Sequence, residues 1–220
     1  MLHLYALANQ PVRLPEAHGI EEAPLESVRI DGIDAVLSNT APDQAKATEE
    51  RILVHARVVE QLSALNAAVL PARFGAAYDD RAALVEAVRR REVPLRDALD
   101  RVRGCSEMGL RIVDPDASVD APVASGGEYM RRRLNRIRDA EHVAAEIDEA
   151  IGGVARDTKT QILASAQFLF TAAYLVRREE AESFRATVSA VESRHPELVF
   201  VCTGPWPPYS FALVDDEPAG

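Results

Sequence analysis

Cysteine, tryptophan and aromatic residues in general are scarce in this 220-residue chain, with two cysteines, one tryptophan and 5% Phe, Trp and Tyr together. Two cysteines far apart, Cys105 and Cys202, exclude a disulfide framework. Each lies in an apolar run and reads as a small buried hydrophobe in a reducing compartment. Basic excess is also missing. Lys and Arg number 25 against 35 Asp and Glu, a net charge of −10, which disfavours non-specific binding to nucleic acid or anionic lipid. No apolar run approaches the ~18 residues of a membrane span. The longest, Ile162 to Val176, is broken by Ser165, Gln167 and Thr171. Met1-Leu2-His3-Leu4-Tyr5 lacks the basic start and long apolar core of a secretory leader. The expectation is a cytoplasmic protein.

Motifs of chemistry are missing too. The sequence has no phosphate-binding G-x-x-x-x-G-K-[ST] loop and no dinucleotide fingerprint. It has no G-x-S-x-G elbow, and no C-x-x-C or H-E-x-x-H metal spacing. Carboxylates are plentiful, but no pair stands in an apolar setting that would split their pKa values. No catalytic residue, cofactor or metal site is assigned. Ser125-Gly126-Gly127 precedes a helix and reads as a flexible entry more than as an anion site. His3, His18, His142 and His195 are scattered and carry no assignment.

What is present is an α+β pattern with two domains, expected at 1–103 and 104–214, and a disordered acidic tail at 215–220. Leu2–Ala8 suits an opening strand. Leu25–Asp31 and Ile33–Asn39 flank Asp31-Gly32, a hairpin signal, with one face of the second arm the more apolar. A helix is expected from about Asp43 to Asn66, buried along Ile52, Ala56, Val59, Leu62 and Leu65. His55 falls inside that arc as a candidate for a special, packed polar residue. Asp79-Asp80 opens another helix through Leu84, Val85 and Val88, and Pro94 starts a third with Leu95, Leu99 and Val102.

Beyond Gly104, Met108–Val113 reads as a strand and 114–127 as a mobile loop. A long helix follows from Glu128 to Ile151, with Met130, Leu134, Ile137, Ala144 and Ile147 on one side. Arg131, Arg132, Arg133, Arg136 and Arg138 precede Glu141, Glu146, Asp148 and Glu149 along it, which reads as a solvated helix with its charges segregated. Gly152-Gly153 ends it. Thr158–Ala164 and Phe168–Arg177 are extended, a helix spans Glu179–Arg194 with Phe184, Val188 and Val191 inward, and Glu197–Thr203 is the last strand. The order β-α-β-β-α-β predicts a ferredoxin-like second domain with an antiparallel sheet.

Two segments suit contact with a partner. In Pro71-Ala72-Arg73-Phe74-Gly75, Arg73 either makes an internal ion pair or faces outward beside Phe74, a combination common at interface centres. The run Thr203-Gly204-Pro205-Trp206-Pro207-Pro208-Tyr209-Ser210-Phe211 holds the only tryptophan and is stiffened by three prolines. Missing N–H donors make it unsuited to helix or central strand. It either closes the sheet with Trp206 packed on a helix, or presents Trp206, Tyr209 and Phe211 to another chain at low entropic cost.

These segments also carry a resemblance. His55, the run Val69-Leu70-Pro71-Ala72-Arg73-Phe74-Gly75, Glu107-Met108-Gly109-Leu110 and Gly127-Glu128-Tyr129 resemble, in order, blocks of the gas vesicle protein GvpL/GvpF family. So do Ala172-Ala173-Tyr174-Leu175-Val176 with Phe184, and the closing run Thr203 to Phe211. The resemblance spans about residues 1 to 214, and does not separate the F-type from the L-type branch. It implies a two-domain α+β protein whose second domain is a modified ferredoxin-like fold, without catalysis or cofactor. It implies an accessory protein of gas vesicles whose partners are the hydrophobic shell protein GvpA and other accessory proteins of the same assembly. From another class, a small-molecule-binding regulatory module built on ferredoxin-like domains is the competing expectation.

Overall fold

The computed structural model describes residues 1–41, 47–113, 115, 126–151, 153–162 and 168–212. The expectations for a helix start near residue 43, most of the 114–127 loop, Gly152, residues 163–164 and the 215–220 tail lie outside that set, as does the Ile137 side chain. The elements are β1 (Leu2–Asn9), β2 (Glu26–Ile30), β3 (Ile33–Asn39), α1 (Glu49–Leu65), β4 (Val69–Pro71), β5 (Ala77–Tyr78), α2 (Arg81–Arg90), α3 (Glu92–Val102), β6 (Cys105–Val113), α4 (Gly126–Ile151), β7 (Ala155–Ile162), β8 (Phe168–Arg177), α5 (Ala181–Glu192), β9 (Val199–Trp206) and α6 (Tyr209–Ala212). They form two compact units. One is Met1–Cys105 together with the segment from Trp206 onward; the other is Ser106–Pro205. The closing Pro/aromatic run, expected in the second domain, thus returns from Trp206 to the first.

In the first unit the sheet order is β2-β3-β1-β4, with β5 also paired to β1. Its pairings are antiparallel. Asp31 and Gly32 both adopt positive φ, 44° and 90°, and Ile30 pairs with Ile33. That backbone matches the right-handed twist of the strands, so two residues suffice for the turn. β3 departs from the expected one-sided burial, since Ile33 through Ser38 are all buried. The side carrying Val36 packs with Val58, Val59 and Leu62 of α1, while α2 touches β2 and β5 and α3 touches β4.

Helix α1 begins at Glu49. Thr48 is its N-cap, its hydroxyl accepting from Arg51 N–H at 3.3 Å. Its inward residues are His55, Val58, Val59 and Leu62. Ile52 and Leu65, expected in the stripe, are 44% and 46% exposed. The buried arc is narrower than hydropathy suggests, and a histidine occupies part of it. α2 is capped by Asp80, which accepts from Ala83 N–H at 2.9 Å. α3 starts at Glu92, so Pro94 falls in its first turn instead of opening it; there its missing N–H leaves no helix bond unmade.

The second unit has the order β7-β8-β6-β9, that of a ferredoxin-like sheet, with β7 and β8 antiparallel. Met108, Leu110 and Ile112 of β6 alternate inward with Phe170, Ala172, Tyr174 and Val176 of β8. Over them lie Ala144 and Ile147 of α4 and Phe184, Val188 and Val191 of α5. Met130 and Leu134, expected on the same buried side of α4, are instead 53% and 50% exposed. β9 runs three residues further than expected and accommodates Pro205 because it is an edge strand.

The closing run also contains one helical turn, contrary to its reading as non-helical. Phe211 N–H and Ala212 N–H both donate to the Pro208 carbonyl, at 3.1 and 3.0 Å. Pro207 and Pro208 stand before that turn, where a fixed φ suits helix entry and no N–H is needed.

Candidate functional site

Pro71 of the first segment and the Tyr209–Ala212 turn of the second both lie in the first unit, while Thr203–Pro205 belongs to the other. β4 ends at Pro71, which is paired with Ala6, and α6 lies against β4. Ala72 N–H donates to the Tyr5 carbonyl at 2.8 Å, so the chain beyond Pro71 stays tied to β1. Tyr209 packs on the cluster that contains Val58, Val59 and Leu62 of α1. Burial next to α1, with Glu60 nearby, pushes its hydroxyl up to about 12.

Within these segments the residues divide sharply. Pro71, Pro207, Pro208 and Phe211 are buried and serve as anchors. Phe74 and Tyr209 are half-buried, and Arg73, Gly75, Pro205 and Trp206 are exposed. Phe211 is wholly enclosed, so it does not face outward as the sequence allowed. Trp206 does, at 49% exposure. Arg73 is exposed and forms no ion pair among the described residues. Ile52 and Leu53, on the outer side of α1, are further exposed aliphatics of the same unit.

What holds the Pro71–Gly75 segment is a buried chain of hydrogen bonds. His55 Nε2 lies 3.0 Å from the Ala72 carbonyl, and His55 Nδ1 lies 2.9 Å from His3 Nε2. A carbonyl only accepts, so His55 carries its proton on Nε2; its Nδ1 then accepts from His3 Nε2–H. Both rings pack edge-on or tilted against Phe74, with centroids 5.6 and 5.8 Å away, and Tyr5 stacks on His55 at 5.3 Å. The Tyr5 hydroxyl is 3.0 Å from Ser38 Oγ and accepts from Ile20 N–H at 2.8 Å. Gly19 is required beside it, because a Cβ there would sit 2.3 Å from that hydroxyl. His55 is therefore a positioning group that fixes Ala72 and sets the pose of Phe74.

Burial, aided by His55, holds His3 neutral down to about 4; burial likewise lowers His55, although its bond to the Ala72 carbonyl pulls the other way. In the unfolded chain both titrate near 6.5. As pH falls below that value, the unfolded state takes up protons that the folded state refuses. The neutral pair's contribution is therefore complete above about 6.5 and is lost as pH falls toward 4. From pH 7 to pH 5, His3 alone should remove about 2 kcal/mol. Urea unfolding at the two pH values, followed by exchange of β1 and β3 amides, measures it. The variant His3→Gln should flatten the profile, and an unchanged profile contradicts the assignment. In the second unit the sign is opposite for His195, whose pKa is raised by its 2.7 Å bond to Glu146; reading exchange by unit separates the two.

Sequence reasoning singled out His55 but not His3, Tyr5, Gly19 or Ser38. No local signal marks them: His3 meets His55 across 52 positions, and Tyr5 meets Ser38 across 33. In the second unit, an open groove of about 430 Å³ runs between the end of α4, β7 and β8, bordered by Asp148, Arg156, Asp157 and Tyr174. The Tyr174 hydroxyl there is engaged with Asp148 at 3.4 Å. Among the described residues no helix is long and apolar enough to cross a membrane.

Comparison with known proteins places the chain. A family model described as gas vesicle synthesis protein GvpL/GvpF matches residues 1–213. Gas vesicle protein F1 of Halobacterium salinarum is 23% identical over 213 residues, covering 96% of this chain and 92% of its own. Gas vesicle protein F of a Streptomyces species is 28% identical over 223 residues, covering 90% and 93%. Among solved structures, the gas vesicle protein GvpF of an Anabaena species superposes with a TM-score of 0.82 at 19% identity, over 100% of this chain and 98% of that one.

Proposed function

We propose a function that proceeds from one fact: the chain belongs to the gas vesicle synthesis protein GvpL/GvpF family. It acts as a non-enzymatic accessory protein that binds the small hydrophobic shell protein, GvpA, during nucleation and assembly of the vesicle. It works in the cytoplasm, in association with the growing vesicle and its other accessory proteins. A subunit that must face gas exposes apolar surface that aggregates in water. A carrier with a net charge of −10 that covers this surface keeps the complex dispersed.

One observation supports this reading above the rest. The half-exposed Trp206 stands directly before the buried Pro207, Pro208 and Phe211. A large apolar side chain on an anchored backbone loses little freedom on docking, which is the design of an interface hot spot. Phe74, held by the His55–Ala72 bond, is the second anchor. Trp206→Ala and Phe74→Ala, together in a variant shown to be folded, should weaken pull-down of the shell protein at least about tenfold. Unchanged capture would remove this surface from the interface.

A further inference from the structure

The first 17 residues of α4 are the largest part of the fold with no role so far. From Gly126 to His142 no described side chain is buried; Val143 is the first. That stretch is about 25 Å of helix. Its outward face changes character along its length. Met130 and Leu134, one turn apart, lie on it with Arg131 and Arg138 at the flank, all exposed. At helical spacing Glu141 and Asp148 continue the same face, also exposed. Arg131, Arg138 and Glu141 form no ion pair among the described residues.

We propose that this face is a self-association surface, on which α4 pairs antiparallel with α4 of a second copy about a two-fold axis. Such an arrangement is isologous, so one self-complementary stripe serves both copies. Antiparallel pairing sets the basic start of each helix against the acidic stretch of the other, with Arg131 of one copy against Glu141 of the second. Leu134 of each copy then lies opposite Arg138 of the other, two residues from the axis at position 136, where the aliphatic stem of that arginine covers it, and Met130 sits one turn further out. Parallel pairing would oppose Arg to Arg and is disfavoured. Two helices in contact over about five turns form an interface at the small end of the range, so the dimer is weak, with Kd on the order of 10–100 μM.

Sedimentation equilibrium of the full chain at about 200 μM should show a dimer that weakens between roughly 50 and 500 mM salt. Leu134→Glu and Arg131→Glu should each raise Kd about tenfold or more. Both sites are exposed, and circular dichroism of each variant should match that of the parent chain. The double variant Arg131→Glu with Glu141→Arg restores the complementary pair and should recover the dimer. A monomer at every concentration would overturn the proposal and leave the stripe to some other protein. A dimer indifferent to these substitutions would place self-association on another face and overturn it equally.

Discussion

Truncating Phe211 to alanine is expected to destabilise the first unit by about 4 kcal/mol, the usual cost of emptying an aromatic site in a closed core. Phe211 is fully enclosed although it lies in a one-turn helix near the end of the described chain. That turn rests on β4, which is paired with the central strand β1. The loss should appear as faster amide exchange in β1 and β4 and a lower denaturation midpoint. Trp206→Ala, at a half-exposed position, should cost under about 1 kcal/mol. The contrast separates the anchor from the contact within one short run. If both substitutions cost the same, the division of the segment into anchor and contact is wrong.

Gly204→Ala should cost about 3 kcal/mol or more, this time in the second unit. Gly204 holds φ at +105°, where a side chain is strained by about 1–3 kcal/mol. An added Cβ would also lie 2.6 Å from the Glu107 carbonyl, a backbone atom that cannot swing aside. The Gly204 carbonyl accepts from Arg185 of α5, so displacing it also breaks a tie between β9 and the helix layer. Gly126→Ala, at a position with open space around it, is the matched control and should leave stability the same or slightly higher. Equal thermal stability of the two variants would contradict this account of β9.

Local signals were legible in the sequence where chemistry is local. Asp31-Gly32 announces its turn because few other pairs tolerate two successive positive φ values. Asp80 announces α2 because a carboxylate satisfies a free helix N–H. The β-α-β-β-α-β order of the second unit could be read because each element carries its own period, and order alone then limits the sheet topology.

Tertiary features were not legible. Hydropathy placed Ile52 and Leu65 inside α1 and Met130 and Leu134 inside α4, because it assigns every apolar residue on an arc to the core. It cannot see where the sheet beneath the helix ends. His55 occupies a core position only because His3 and the Ala72 carbonyl complete its hydrogen bonds, and neither partner is near it in the chain. The closing run shows the same limit. Its prolines reveal stiffness, but not that Pro207, Pro208 and Phe211 face inward while Trp206 faces out.

The most direct test of the central idea, that this protein acts by covering apolar surface of the shell protein, is a solubility measurement. Purified shell protein is diluted from denaturant with and without an equimolar amount of this chain, and the fraction left in the supernatant after centrifugation is measured. The account predicts a clear rise with the intact protein and a smaller one with the Trp206→Ala, Phe74→Ala variant. The same supernatant fraction with and without the intact protein would contradict it.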